Sequence, residues 1–416
     1  MKKRLSILIT LLLITHAGYA QLSIEECYEL AEANYPLIRQ YGLIEKTKEY
    51  NLSNASKGYL PQMQLNAKAT YQSEVTQIPI DVEGVTDLSK DQYQATVDIN
   101  QSIWDGGAIR SQKETIRTQA GIDRQNLEVT LYAIRDRVNQ LYFGILLYDE
   151  TLIQNDIYLE DLERNYTEVA AYVVNGLANQ ADLDAVEVER VKAIQSRVQT
   201  TYNRNVYLEM LSVLIGVPRD ENTRLVKPSA NQLYANTIQR PELALYEAQF
   251  ANLDAQMKEI KASLMPKINV NLTGGYGRPG LNILENKFSP YYIAGLSFNW
   301  NLGNLYTRKN NLGKIEVNRG TIETQRETFL FNTELDMTQS GNEIQKYREL
   351  LQTDDEIIRL RGSVRSSSEA KVANGTLSVL DLMKEVNAEQ TAIQDKILHE
   401  IQLLQAIYNM KYITNN

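Results

Sequence analysis

The sequence predicts a mainly α-helical chain with a transmembrane β-barrel section, its helices long antiparallel coiled coils and its strands four per protomer. Three observations point there. All nine prolines lie between Pro36 and Pro290, so neither 80–217 nor 291–416 contains the residue that breaks helices. Four segments of about ten residues alternate apolar and polar side chains, the length and pattern of a tilted transmembrane strand. The chain is also written twice.

The first twenty residues read as a secretory signal. Lys2, Lys3 and Arg4 form a positive start, Leu5 to Ile14 an apolar core, and Gly18-Tyr19-Ala20 a small-x-small cleavage site that would leave Gln21 first. The apolar run is too short to span a bilayer. Cys27 is the one cysteine, so no internal disulfide framework exists. It lies in a helical pattern and is expected to be a buried or idle thiol. No run of 18 apolar residues follows the signal, which excludes helical membrane spans. The formal charge is −9, and losing the three basic signal residues takes it to −12. An acidic exported chain is a poor nucleic-acid binder.

The repeat organises the rest. Tyr35-Pro36-Leu37 opens a helical segment ending at Tyr59-Leu60-Pro61-Gln62-Met63. Arg240-Pro241-Glu242 opens another, ending at Leu264-Met265-Pro266-Lys267-Ile268, 205 residues later. Val174-Asn175-Gly176 followed by Ala181-Asp182-Leu183 matches Ala373-Asn374-Gly375 followed by Leu380-Asp381-Leu382, at an offset of 199. The shorter offset implies a shorter loop in the second half. The expected organisation is a signal over 1–20, a first repeat over 21–215 with a hairpin at 62–103, a linker over 216–239, and a second repeat over 240–416 with a hairpin at 267–302.

Each hairpin alternates. Met63, Leu65, Ala67, Ala69 and Tyr71 face one side, and Gln64, Asn66, Lys68 and Thr70 the other. Tyr93, Ala95, Val97 and Ile99 repeat the pattern, then Ile268, Val270, Leu272 and Tyr276, then Tyr292, Ala294, Leu296, Phe298, Trp300 and Leu302. A half-buried soluble sheet would alternate likewise, so the aromatics decide. Tyr71, Tyr93, Tyr276 and Tyr292 share the apolar parity and sit at the loop-proximal ends, as an aromatic girdle at one membrane interface requires. Trp300 suits the opposite interface; Trp104 is off parity. The polar loops 73–92 and 277–290 would face the exterior.

From about Gly107 to Val173 nothing demands a break, which at 1.5 Å per residue is a helix of roughly 100 Å. Its second part carries a heptad seam from Leu127 through Leu131, Ile134, Val138, Leu141, Ile145 and onward to Val173, with Asn155 its one clearly polar member. The second half keeps the register through Leu330, Ile344 and Leu351 but loses apolar residues toward Arg361 and Arg365, where looser pairing is expected. Returning helices are expected over about 181–215 and 378–411. Four strands cannot close a membrane barrel, and an open edge in lipid leaves backbone groups unsatisfied. The strands must therefore associate between copies. Three copies give twelve strands, an even number in the bacterial range.

This layout resembles the TolC-like outer-membrane efflux protein family across essentially the whole mature chain. The features that carry it are Leu22-Ser23-Ile24-Glu25-Glu26, the Leu60-Pro61 and Met265-Pro266 strand entries, Ile215-Gly216-Val217-Pro218, and the paired Gly-x5-Asp turns. The resemblance implies a homotrimer in the outer membrane, with a shared twelve-stranded barrel above a periplasmic α-barrel. It further implies an exit duct that passively conducts substrates, with a periplasmic adaptor and an inner-membrane transporter as partners. An exit duct for type I protein or peptide secretion is the alternative within the family. A periplasmic coiled-coil structural protein with a small soluble β-domain is the alternative outside it.

Carried over by position, Asp182 and Asp381 would form a carboxylate constriction, with Asp184 and Glu385 as auxiliaries. An acidic residue in a helix's first turn is also favoured by the helix dipole, whatever the function. Lys384 departs from a second acidic position of the family and would weaken a cation-binding ring. Asn175, Gly176, Asn374 and Gly375 are the adaptor-facing turn positions, although stopping a helix needs the glycines in any case. No enzyme is expected. His16 lies in the signal, His399 reads as a surface or packing residue, and no nucleophile–base set, phosphate loop, cofactor motif or metal-ligand cluster occurs.

Overall fold

The computed structural model describes residues 22–76, 87–218, 220, 223–230 and 237–416. The expected signal and the middle of the first loop lie outside these residues, as does part of the linker. In chain order the elements are α1 (Ile24–Asn34), a short 3-10 turn (Pro36–Arg39), α2 (Gln40–Lys57), β1 (Gln62–Tyr71), β2 (Asp91–Trp104), α3 (Ala108–Tyr132), α4 (Ile134–Val174), α5 (Gln180–Ile215), α6 (Pro241–Ala262), β3 (Lys267–Arg278), β4 (Ser289–Asn299), α7 (Asn304–Ala373) and α8 (Val379–Thr414).

The two long helices differ in continuity. At 70 residues α7 runs unbroken, about 105 Å at the standard rise. The first is interrupted at Ala133, between α3 and α4. Dense side-chain packing surrounds the break. The Tyr132 hydroxyl donates to the Tyr412 carbonyl at 2.6 Å, and the two rings stack with centroids 5.0 Å apart. The guanidinium groups of Arg135 and Arg240 lie over the Tyr132 ring, 5.0 and 4.8 Å from its centre. Ala133, next to this anchored tyrosine, has φ −61° and ψ −18°.

Two compact units emerge, one comprising Met1–Ile38, Leu127–Pro241 and Thr328–Asn416, the other Arg39–Asn126 and Glu242–Glu327. Each draws on both sequence repeats, because paired helices and paired hairpins from the two halves pack on each other.

In the first unit α4 packs against α5 and α8, and α1 closes one end. Heptad-seam residues Leu127, Leu131, Val138, Leu141, Ile145, Leu162 and Val169 are buried. Asn155 is buried too, and its amide, oriented to satisfy both groups, donates to the Ala193 carbonyl at 3.3 Å and accepts from the Arg197 amide at 3.1 Å. Cys27 is fully enclosed. Ser23 and Glu26 form a reciprocal cap at the start of α1. Tyr142, also fully enclosed, donates its hydroxyl toward the Leu22 and Val226 carbonyls at 2.8 and 2.7 Å. It thereby pins the bridge between Leu22 and Leu225. The Asn34 amide donates to the Val213 and Leu214 carbonyls, both at 3.1 Å, closing the end of α5. Gly216 there has φ +70°, and a Cβ on it would fall 2.3 Å from Asn34 Oδ1, so both conformation and space require glycine.

The second unit holds one antiparallel sheet in the order β1-β2-β3-β4. The helices α2 and α6 lead into its strands, and the start of α3 follows one.

Candidate functional site

The sheet is amphipathic throughout. Its register sets Leu65 opposite Val97, Ile99 opposite Leu272, and Val270 opposite Leu296, so the apolar rows of all four strands merge into one face. That face is exposed: Leu65 is 75% and Leu296 76% accessible. A contiguous apolar surface of this kind marks a membrane or partner contact. The other face is a polar network. Asp98 accepts from Asn66 at 2.7 Å, from Thr96 at 3.2 Å and from Thr273 at 2.6 Å. Asn271 donates to Ser297 at 2.8 Å, and Gln94 bonds the Tyr291 hydroxyl.

Tyr71, Tyr93, Tyr276 and Tyr292 share the apolar face and run diagonally across it from the loop end, each stepped two residues toward the helix end from the one on the preceding strand. Phe288 joins them, stacked on Tyr276 at 5.7 Å. Arg278 lies over the Tyr93 and Phe288 rings at 5.5 and 5.3 Å and pairs with Asp91. Sequence reasoning missed Phe288 and Arg278 because neither falls within an alternating run. At the opposite end the Trp300 indole N–H donates to the Leu264 carbonyl at 3.1 Å. Trp104 stands at this end too. A register shift between Ser102 and Trp104 leaves Ile103 as the extra residue and sets Trp104 opposite Ile268, on the apolar face. The bulge explains why the tryptophan was off parity.

At the helical turns, the two halves repeat one construction. Gly176 and Gly375 have φ +74° and +69°, the left-handed conformation that ends a helix. Asn175 donates to the Ala171 carbonyl and Asn374 to the Ala370 carbonyl, each at 2.7 Å. Asn179 then caps α5, with Asp182 Oδ2 accepting from the Asn179 amide at 3.0 Å. Ser378 caps α8, and its hydroxyl donates to Asp381 Oδ2 at 2.7 Å. Lys384 Nζ lies 2.8 Å from Asp381 Oδ1. This ammonium, followed by the Ser378 hydroxyl, holds the Asp381 carboxyl below the usual range. Asp184 accepts from Gln180 at 2.9 Å, and Glu385 lies 3.5 Å from Arg361. Both capping carboxylates are therefore engaged within their own first turns. Val186 of α5 and Val379, Leu382 and Met383 of α8 share one buried cluster with Leu162 and Val169 of α4, which brings the two turn regions together. Val174 and Leu177, flanking the first turn glycine, are 87% and 67% exposed. In the sequence Val174 entered only as part of the repeat match, and Leu177 carried no signal of its own.

Where the α7 seam loses apolar residues, charge replaces packing. Arg365 contacts Asp161 at 2.6 Å, Glu389 at 2.9 Å and Glu369 at 2.8 Å, tying α7 to α4 and α8. Burial opposes its charge, but the hydrogen bonds it donates to Asp161, Glu389 and Glu369 outweigh that and raise its pKa. Tyr158, pushed up to about 12 chiefly by burial, donates to Asn387 at 2.5 Å nearby. Further along, His399 Nδ1 meets Asp354 at 2.8 Å.

Residues 27–217 match the model of the outer membrane efflux protein family. No curated protein matches the chain by sequence. Among solved structures, CusC, described in terms of folding and transmembrane channel formation, is similar at TM-score 0.73 and 12% identity, covering 95% of this chain and 92% of that one. VceC, an outer membrane protein of Vibrio cholerae, is similar at 0.69 and 12% identity, covering 94% and 96%. The MtrE outer membrane channel of Neisseria gonorrhoeae, in its open state, is similar at 0.68 and 14% identity, covering 94% and 89%. At these identities the structural likeness speaks to the fold. The family match thus covers residues 27–217, and the fold of these outer-membrane channels extends over nearly the whole chain.

Proposed function

We propose that three copies of this chain form an outer-membrane exit duct, passively conducting substrates delivered by an inner-membrane pump and a periplasmic adaptor to the exterior. The observation that carries this reading is the two-faced sheet with β1 and β4 at its edges. Its apolar face is exposed and its polar face internally bonded, yet four strands cannot close. An edge in lipid would leave unsatisfied amides and carbonyls, each costing several kcal/mol. Joining β4 of one copy to β1 of the next removes every edge, and three copies give a twelve-stranded barrel. The polar face then lines the lumen. The four tyrosines mark the outer interface, and Trp300 with Trp104 the inner one.

In this reading the helices form the periplasmic section. Asp182 and Asp381, with Asp184 and Glu385, border its narrow end, and Lys384 lowers the negative charge there. Asn175, Gly176, Asn374 and Gly375, with exposed Val174 and Leu177, meet the adaptor.

The test is extraction from outer membranes in mild detergent, with particle mass and electron microscopy on the same sample. A threefold particle with a detergent belt at one end and conductance in planar bilayers is expected. A detergent-free monomer in the soluble periplasm would instead support a coiled-coil structural protein.

A further inference from the structure

Below the strands, where β2 turns into α3 and α6 turns into β3, the chain forms an open surface cavity of about 360 Å³ lined by Gly106, Arg110, Glu114, Lys258, Lys261 and Met265 among others. The two turns touch: Gly106 has φ +69°, and a Cβ on it would fall 2.5 Å from Met265 Cβ. Asp105 spends its carboxylate on the Gly107 and Ile109 amides at 2.9 and 2.7 Å, so it does not neutralise the lining. Lys258 pairs with Glu114. Arg110 and Lys261 are exposed, and neither forms an ion pair among the described residues. Three cations against one carboxylate leave the lining with two net positive charges.

Position gives that charge a partner. Met265 follows Leu264, whose carbonyl accepts the Trp300 indole proton. Trp104 lies two residues before Gly106, on the apolar face through the bulge. The cavity therefore opens at the helix-side margin of the apolar face, beside two half-exposed tryptophans. Lipid phosphates lie at that depth when the apolar strands span a bilayer, and basic side chains next to interfacial tryptophans meet them there.

We propose that this cavity binds the phosphate of an anionic lipid headgroup in the inner leaflet, with Arg110 and Lys261 as the contacting cations. The guanidinium engages two phosphate oxygens at once while the ammonium acts as a point charge. The proposal rests on the reading that the apolar strand face lies in the membrane.

The intact assembly is reconstituted into vesicles of phosphatidylcholine mixed with phosphatidylglycerol, floated, then released in mild detergent and weighed by native mass spectrometry. Wild type should retain phosphatidylglycerol in preference to phosphatidylcholine. The double variant Arg110→Gln/Lys261→Gln should retain about thirtyfold less, at roughly 1 kcal/mol per basic residue. Lys46→Gln, an exposed basic change on α2, should retain as much as wild type. Excess inorganic phosphate should leave the bound lipid in place. Equal retention by the double variant, no preference between the two lipids, or displacement by inorganic phosphate overturns the proposal while the membrane reading stands. Failure of wild type to float with vesicles removes the membrane reading itself and the proposal with it.

Discussion

Lys384 lies one helical turn after Asp381, with Nζ 2.8 Å from Oδ1. The pair sits at the start of α8, where the turn construction shared by the two halves places a carboxylate. A lysine there takes the charge of the candidate carboxylates Asp182, Asp184, Asp381 and Glu385 from −4 to −3 per copy. Wild-type channels should therefore be only weakly blocked by a trivalent cation. Lys384→Glu adds two negative charges per copy relative to lysine and should tighten block by at least about tenfold, since several kT of added potential concentrates counter-ions strongly. Single-channel current against cation concentration reads this directly. Unchanged block would remove Asp381 from the constriction.

The same carboxylate predicts a pH response. Its folded pKa is lowered, first by Lys384 and then by Ser378. A lowered folded value contributes stability above the ordinary carboxylate range, lost as pH falls through the depressed value. Hydrogen-exchange protection at the Asp381 amide, which donates to Ser378 Oγ at 3.1 Å, should hold at neutral pH and fall in acid below that range. Asp381→Asn should show low protection at every pH.

Neighbouring strand residues should respond in opposite ways to the same change. Leu65→Lys places a charge on the apolar face and should cost about 2–4 kcal/mol if it lies near mid-bilayer. Gln64→Lys places one on the polar face, opposite Asp98, and should be tolerated. Heat-resistant oligomer on gels of isolated outer membranes distinguishes them. Equal yields for both variants would contradict a lipid-facing sheet.

Arg204 and Asp149 meet at 2.5 Å with side chains only 6% and 11% exposed. Arg204 also donates to the Thr223 carbonyl at 2.9 Å. Arg204→Ala leaves the acid enclosed and should destabilise the first unit by about 3–5 kcal/mol. Adding Asp149→Leu to Arg204→Met should recover most of that loss. Thermal melts of the detergent-extracted protein provide the comparison.

The turn glycines offer a separate stability probe. Nothing lies within 4 Å of a Cβ added at Gly176 or Gly375, but both have positive φ. Alanine should therefore cost about 1 kcal/mol at each through backbone strain alone. Efflux lost well beyond that loss of stability, at unchanged protein level, would identify the turns as the adaptor contact.

Much of the architecture was legible because its signals are periodic. Proline-free stretches marked α7 and the α3–α4 run, period-two alternation marked all four strands, and Asn-Gly marked both turns. The break at Ala133 was hidden, and so was the packing beside it, where Tyr132 meets Tyr412, 280 residues away. Trp104 was misleading for a related reason: a bulge changes parity without leaving a composition signal. At the turns, the family resemblance pointed to Asp182 and Asp381 as constriction candidates, and only the structure showed that both are tied into their own helix caps.

The sequence by itself determined the two repeats, the alternating strands and the heptad seam, because each depends on spacing along a local segment. Tertiary structure alone decided that the two hairpins join edge to edge in the order β1-β2-β3-β4, since strand pairing is a backbone interaction that side-chain patterns do not encode uniquely. It also decided that Arg365 gathers Asp161, Glu369 and Glu389. A thinning apolar seam looked like weakness along the chain. In three dimensions partly buried opposite charges occupy it, and their attraction is stronger than it would be in open solvent.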